Sequence, residues 1–198
     1  MKRNRKARGT ELLGILKAFR LPAAPCAAGV FDAIAQAGRE VCGRPVRLKP
    51  FHFPDGVASG VCVELDTHYL VAFEKHTDVA HQLVIIGHEL WHALQGHCRT
   101  HSVHRAATRT EPGKDAESEI EQLLHRLHAA DAPGEPQPLG QAALRVVMRS
   151  HCDAAHERDA EEFGLQFGTA VGALLEAAHQ HGVAGRIQTA MGRAFPHL

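Results

Sequence analysis

No run of about 18 apolar residues occurs in these 198 residues, so nothing reads as a bilayer-spanning helix and no membrane partner is expected. Net charge is also absent: 22 Lys and Arg balance 22 Asp and Glu. No field of one sign points to direct binding of nucleic acid. Aromatics are scarce, at 5% with one Trp and one Tyr, so the 44% hydrophobic content must build its core largely from aliphatic side chains. The five cysteines contain no CxxC pair and no even-numbered framework, which predicts reduced thiols and a cytoplasmic protein. The basic stretch MKRNRKARGTELLGILKAFR lacks a continuous apolar core and a small-residue cleavage site, and is not expected to act as a secretory signal.

The chain has the length of one domain. Residues 1–9 read as a mobile basic tail, solvated rather than bound to nucleic acid. Residues 10–98 carry N-terminal helices, a sheet and a motif helix. Thr10 can cap a short amphipathic helix over 10–20, and 27–37 reads as a second helix ending near Gly38. An extended stretch begins with Val46, Leu48 and Phe51. Gly60–Leu65 and His68–Phe73, separated by Asp66-Thr67, then read as a β-hairpin. Thr77 or Asp78 can cap a helix from Val79 to Gly96, with Leu83, Ile86, Leu90 and Leu94 as its apolar stripe. Residues 99–140 read as a polar, partly helical insertion bracketed by breakers. Residues 141–198 return to helices that complete the same domain, with a last short one from Gly185.

What is present is concentrated in His88-Glu89-Leu90-Trp91-His92. Residues four apart lie one turn above each other on a helix, so His88 and His92 can offer two imidazoles to one ion. Glu89, one step round, can serve the water that the ion activates instead of binding the ion. The pattern is not decisive alone. With 16 His and 14 Glu in 198 residues, shuffling would produce HExxH in roughly one such chain in ten.

A catalytic zinc site needs a third protein ligand. A histidine six residues past the motif, with glycine at the third, is one solution, but those positions hold Cys98 and Gln95. A glutamate on a later helix is the other, and Glu157-Arg158-Asp159-Ala160-Glu161 fits it. Glu157 is the candidate ligand, with Asp153, His156, Asp159 and Glu161 as competitors. Glu161 or Asp159 could accept a hydrogen bond from a ligand histidine. Ala160, Phe163, Gly164 and Phe167 would pack toward the motif helix.

HELWHALQGHC followed by HERDAEEFGLQFG resembles the ImmA/IrrE-type metallo-endopeptidases, which pair HExxH with E-x-x-A-x-x-F-A on a later helix. Within them it resembles the actinobacterial proteins described as toxin components of toxin–antitoxin systems. The resemblance covers residues 44–98 and 145–170. It departs at Glu161, where Asn or Asp is usual, and in the length of the segment between Cys98 and Gly140. It implies an α+β, compact zincin-like fold, with a small three-stranded sheet packed on the HExxH helix and a later helix supplying the third ligand. It also implies pairing with a helix-turn-helix regulator that some members cleave.

The function expected is a zinc-dependent endopeptidase acting on a regulatory protein, such as a helix-turn-helix repressor or antitoxin. His88, His92 and Glu157 would hold Zn²⁺, and Glu89 would be the general base. An extended substrate could pair with strand 60–65 or 68–73. The alternative is a toxin component or regulator-binding module of the same fold, in which zinc is structural and no peptide is cut. The histidines 97, 101, 104, 125, 128, 151 and 156 and the thiols of Cys98 and Cys152 read as surface or structural groups without a catalytic role.

Overall fold

The computed structural model describes residues 9–14, 27–53, 58–96, 122, 125–127 and 154–194, with backbone only for 27–28 and 181–194. Within them the chain is mixed α+β, in the order α1 (Ala27–Cys42), β1 (Val46–Phe51), β2 (Gly60–Glu64), β3 (Tyr69–Glu74), α2 (Val79–Gln95) and α3 (Ala154–Ala194). Residues 1–8 of the expected tail, most of the 99–140 insertion and residues 141–153 lie outside the described residues, whereas Gly9, expected in the mobile tail, is helical and buried because it packs on Phe163 and Trp91. Residues 9–14 are helical, and Leu12 among them is fully buried in the main core.

The sheet order is β1-β3-β2. The hairpin forms as its alternating, β-branched sequence predicts: β2 pairs antiparallel with β3, from Gly60 opposite Phe73 to Glu64 opposite Tyr69. The Leu65 N–H donates to His68 O at 2.8 Å and closes the two-residue loop at Asp66-Thr67. β1 returns parallel to β3, with Val46 opposite Tyr69 and Phe51 opposite Glu74. β3 is therefore central. It has no edge to offer a substrate, which removes 68–73 from the two strands considered for that role.

Period-two alternation divides the sheet residues between two cores. Val46, Cys62, Tyr69, Val71 and Phe73 face the helices, where they meet Ile34, Leu83, Ile86, Leu90 and Phe167. Val61, Val63, Leu70 and Ala72 face the other way and are covered with Phe53, Ala58 and Leu127. Leu127 is buried, so the region expected to be an outlying insertion contributes at least one side chain to a core.

Two helix ends differ from expectation. α1 runs through Gly38 to Cys42, because Gly38 is in contact with its surroundings: a Cβ there would meet Val46 Cγ2 at 3.2 Å and Leu90 Cδ2 at 3.6 Å. The stop is Gly43, which takes φ +71° and donates to Arg39 O at 2.9 Å. α3 is one 41-residue helix, and the separate short helix from Gly185 is part of it. Isolated glycines lower helix propensity by about 1 kcal/mol without interrupting the backbone ladder. α2 has the expected ends. Asp78 is its N-cap, accepting from the His81 N–H at 2.9 Å, and Gly96 closes it at φ 72°.

The cysteine expectation is corrected. Cys42 is in no disulfide, but Cys62 is disulfide-bonded. Its partner lies outside the described residues. Such a pair joins positions distant in sequence, so spacing alone does not announce it. No described helix is long and apolar enough to cross a membrane.

Leu127→Ala should lower the free energy of unfolding by about 2–5 kcal/mol, the range for a buried large-to-small change. Urea denaturation measures it; a loss under about 0.5 kcal/mol, as at a surface site, would show that Leu127 does not close the second face.

Candidate metal centre

α2 carries both histidines because its apolar stripe is wide. Leu83, Ile86, Leu90 and Leu94 are fully buried, and each such side chain contributes about 1.5–3 kcal/mol. His88 and His92 lie on the strip facing α3, one turn apart, with ring centroids 5.0 Å apart. His92 is 2% exposed and His88 15%.

α3 approaches this strip closely because small residues face it. A Cβ on Gly164 would lie 2.8 Å from Val84 O, 3.2 Å from His88 N and 3.3 Å from His88 Cβ. One turn on, a Cβ on Gly168 would lie 2.8 Å from Val84 Cγ2. From the other side, Gly87 makes room for Phe167, whose Cβ would be 2.7 Å from a Cβ there. Ala160, Phe163 and Phe167 are buried in the same seam, and Phe163 stacks at 5.2 Å on Trp91. The helices run antiparallel here, so the start of α3 meets the later turns of α2.

Glu157 belongs to the first turn of α3 and continues the seam toward its N-terminus, where the helix dipole favours a carboxylate. Its Oε2 lies 3.6 Å from His88 Nε2, and its Oε1 lies 3.9 Å from His92 Nε2. The two Nε2 atoms are 3.3 Å apart. Two donors bound at 2.0–2.1 Å with a tetrahedral angle between them stand about 3.3–3.4 Å apart. The imidazoles are thus spaced as ligands of one ion, and one Glu157 oxygen lies within 4.8 Å of both. His88, His92 and Glu157 form a group that could hold a metal ion.

Glu89 points elsewhere. It is buried, at 1% exposure, toward β2. A Cβ on Gly60 would lie 2.8 Å from Glu89 Oε1 and 2.6 Å from Ile85 Cγ2. Gly60 is therefore what lets the strand backbone and the carboxylate share this space. Sequence reading missed it, because 29 positions separate the two and no local pattern connects them.

The competing carboxylates do not join the group. Asp159 and Glu161 are both exposed. Asp159, two residues from Glu157, is rotated to another side of the helix and lines a separate cavity. Glu161 falls beside the buried seam through Ala160 and Gly164. Neither supports a ligand histidine, so the expected hydrogen bond is not made by these residues. His156 is partly exposed and outside the group, and His125 is exposed. Asp153, His151, His97, His101, His104, His128, Cys98 and Cys152 lie outside the described residues. The separate cavity, of about 210 Å³, is lined by Thr10, Leu13, Trp91, Asp159, Phe163 and Gln166 among others, and includes none of His88, His92 or Glu157.

No family model, curated protein or solved structure matches this chain.

Glu157→Ala should weaken metal binding by more than the roughly 10–100-fold typical of losing an outer partner, whereas Glu161→Ala should leave it unchanged. Competition with a chromophoric chelator reads both. The opposite ranking would move the carboxylate ligand to Glu161.

Proposed function

We propose that this protein is a zinc-dependent endopeptidase of zincin-like fold, acting in the cytoplasm on a regulatory protein such as a helix-turn-helix repressor or antitoxin. The observation that carries it is the clustering of His88, His92 and Glu157 donor atoms on α2 and α3, with Glu89, the residue after His88, buried on the β2 side of the same helix. Two imidazoles and one carboxylate suit zinc, and three protein ligands leave a fourth position open, as catalysis requires. When bound there, zinc would supply Lewis acidity to a peptide carbonyl and to a water.

The chain's own residues supply the rest. Glu89 adjoins His88 in sequence but lies outside the ligand group, so its carboxylate remains available as a base. It takes the proton of the attacking water and returns it to the leaving amine. Burial against Gly60 and Ile85 limits its rotamers and keeps bulk water from it. The choice of a regulatory protein as substrate is supported by the resemblance of 88–98 and 156–168 to ImmA/IrrE-type peptidases.

An extended substrate would add to β2. The Leu65 N–H donates inward to His68 O, and Ser59 O accepts inward from the Glu74 N–H. Antiparallel alternation then directs the N–H groups of Gly60, Cys62 and Glu64 away from β3. No strand pairs with that side among the described residues. This row begins at Gly60, the residue against which Glu89 is seated.

Glu89→Gln should reduce turnover by about 10²–10⁴-fold while zinc content stays at the wild-type level, since the three ligands remain. Co-expression with a helix-turn-helix regulator, taken from beside this chain's gene where one is encoded there, followed by mass spectrometry, reads the outcome. A regulator cut by the wild type alone supports the peptidase. One that co-purifies intact with both proteins replaces it with a binding module in which zinc is structural. Glu64→Pro removes one outward N–H and should slow peptide turnover at unchanged zinc content, relative to a Glu64→Ala control for the lost ion pair to Arg44. Equal turnover in the two variants would dismiss β2 as the substrate edge.

A further inference from the structure

A second set of donors lies at the C-terminal ends of β1 and β3, sharing no residue with the first. Parallel pairing sets Phe51 opposite Glu74, and the Lys75 N–H continues the ladder to Phe51 O at 3.0 Å. The residues that follow each strand, His52 and His76, are thereby brought to one carboxylate. His52 Nδ1 lies 3.7 Å from Glu74 Oε2. The two imidazole rings meet edge to face with centroids 4.8 Å apart and planes at 85°. One donor atom from each of His52, Glu74 and His76 lies within 4.8 Å of the others.

We propose that His52, Glu74 and His76 bind a second divalent metal ion, of the zinc type, which ties the end of β1 to the end of β3 ahead of α2. Two imidazole nitrogens and one carboxylate are a borderline ligand set that suits zinc over calcium or magnesium. The carboxylate is held ready. The Phe53 N–H donates to Oε2 at 2.8 Å and the His76 N–H to Oε1 at 2.7 Å. These bonds fix its rotamer as outer partners do for metal-binding carboxylates, and each oxygen keeps a second lone pair. Among the described residues no Lys or Arg competes for the carboxylate. Closing from 4.8 Å to the spacing of a tetrahedral site asks for a contraction of at most about 1.5 Å. Both histidines are exposed, and their rings can turn to make it.

The site would act on the fold. The ion would close β1 onto the central strand at the point where the chain turns toward Asp78, the N-cap of the motif helix.

The test compares zinc per chain, by elemental mass spectrometry, after metal-free full-length protein is equilibrated with Zn²⁺. His52→Ala/His76→Ala should hold one zinc fewer than the wild type. His88→Ala/His92→Ala should keep that zinc, and zinc should raise its melting temperature. Combining all four changes should abolish the shift. Both exposed histidines can be replaced without touching the core, and circular dichroism checks the fold of each variant. The proposal is overturned if His52→Ala/His76→Ala binds as much zinc as the wild type, a result that holds even if the His88/His92 variant fails to fold. A folded His88→Ala/His92→Ala protein without a zinc-dependent shift would also overturn it. Either failure leaves the peptidase reading intact, since that reading stands on Glu89 and on regulator cleavage.

Discussion

The closeness of α3 to α2 governs everything at the candidate centre. Gly164 sits against the backbone of Val84 and His88, at a distance no residue with a Cβ could occupy unmoved. Phe167 fills the hollow left by Gly87 and locks the crossing. Because the helices are antiparallel at this contact, the first turn of α3 is carried back toward His92. Glu157 reaches both imidazoles only for that reason. A larger residue at Gly164 would not alter a single donor, yet it would widen the group and loosen the fit to one ion.

The sheet supplies the second constraint. α2 presents its histidines to α3 but its glutamate to β2, so neighbouring residues of one motif face different parts of the molecule. Glu89 is accommodated because Gly60 begins the strand opposite Phe73. The Glu89 carboxylate and the outward row of backbone N–H groups are thus positioned by the same residue. Burial on both faces, with Leu127 in the second, holds β2 in that register.

The same central strand organises the far side of the sheet. β3 pairs on one side with β2, whose Gly60 seats Glu89, and on the other with β1, where its end brings His52 and His76 to Glu74. An ion there would stiffen the support on which the motif helix starts. The two groups are thus related through one strand and the helix that follows it.

The sequence by itself determined the local elements. The hairpin at 60–73, the Asp78 cap, the Gly96 stop and the His88/His92 pair all follow from periodicities and side-chain chemistry acting within a few residues. The seam of α3 was legible in part: Ala160, Phe163, Gly164 and Phe167 were expected against the motif helix with Glu157 as the candidate ligand, but Glu161 lies four residues from Glu157 on a similar spacing and only the packing turned it out of the group. What lay beyond it were contacts between residues far apart in the chain. The parallel return of β1, the centrality of β3, the place of Leu127 in a core, the disulfide of Cys62 and the seating of Glu89 on Gly60 have no local signature. Each depends on which surfaces bury one another, a choice made by packing the whole chain at once, and only the tertiary structure decided them.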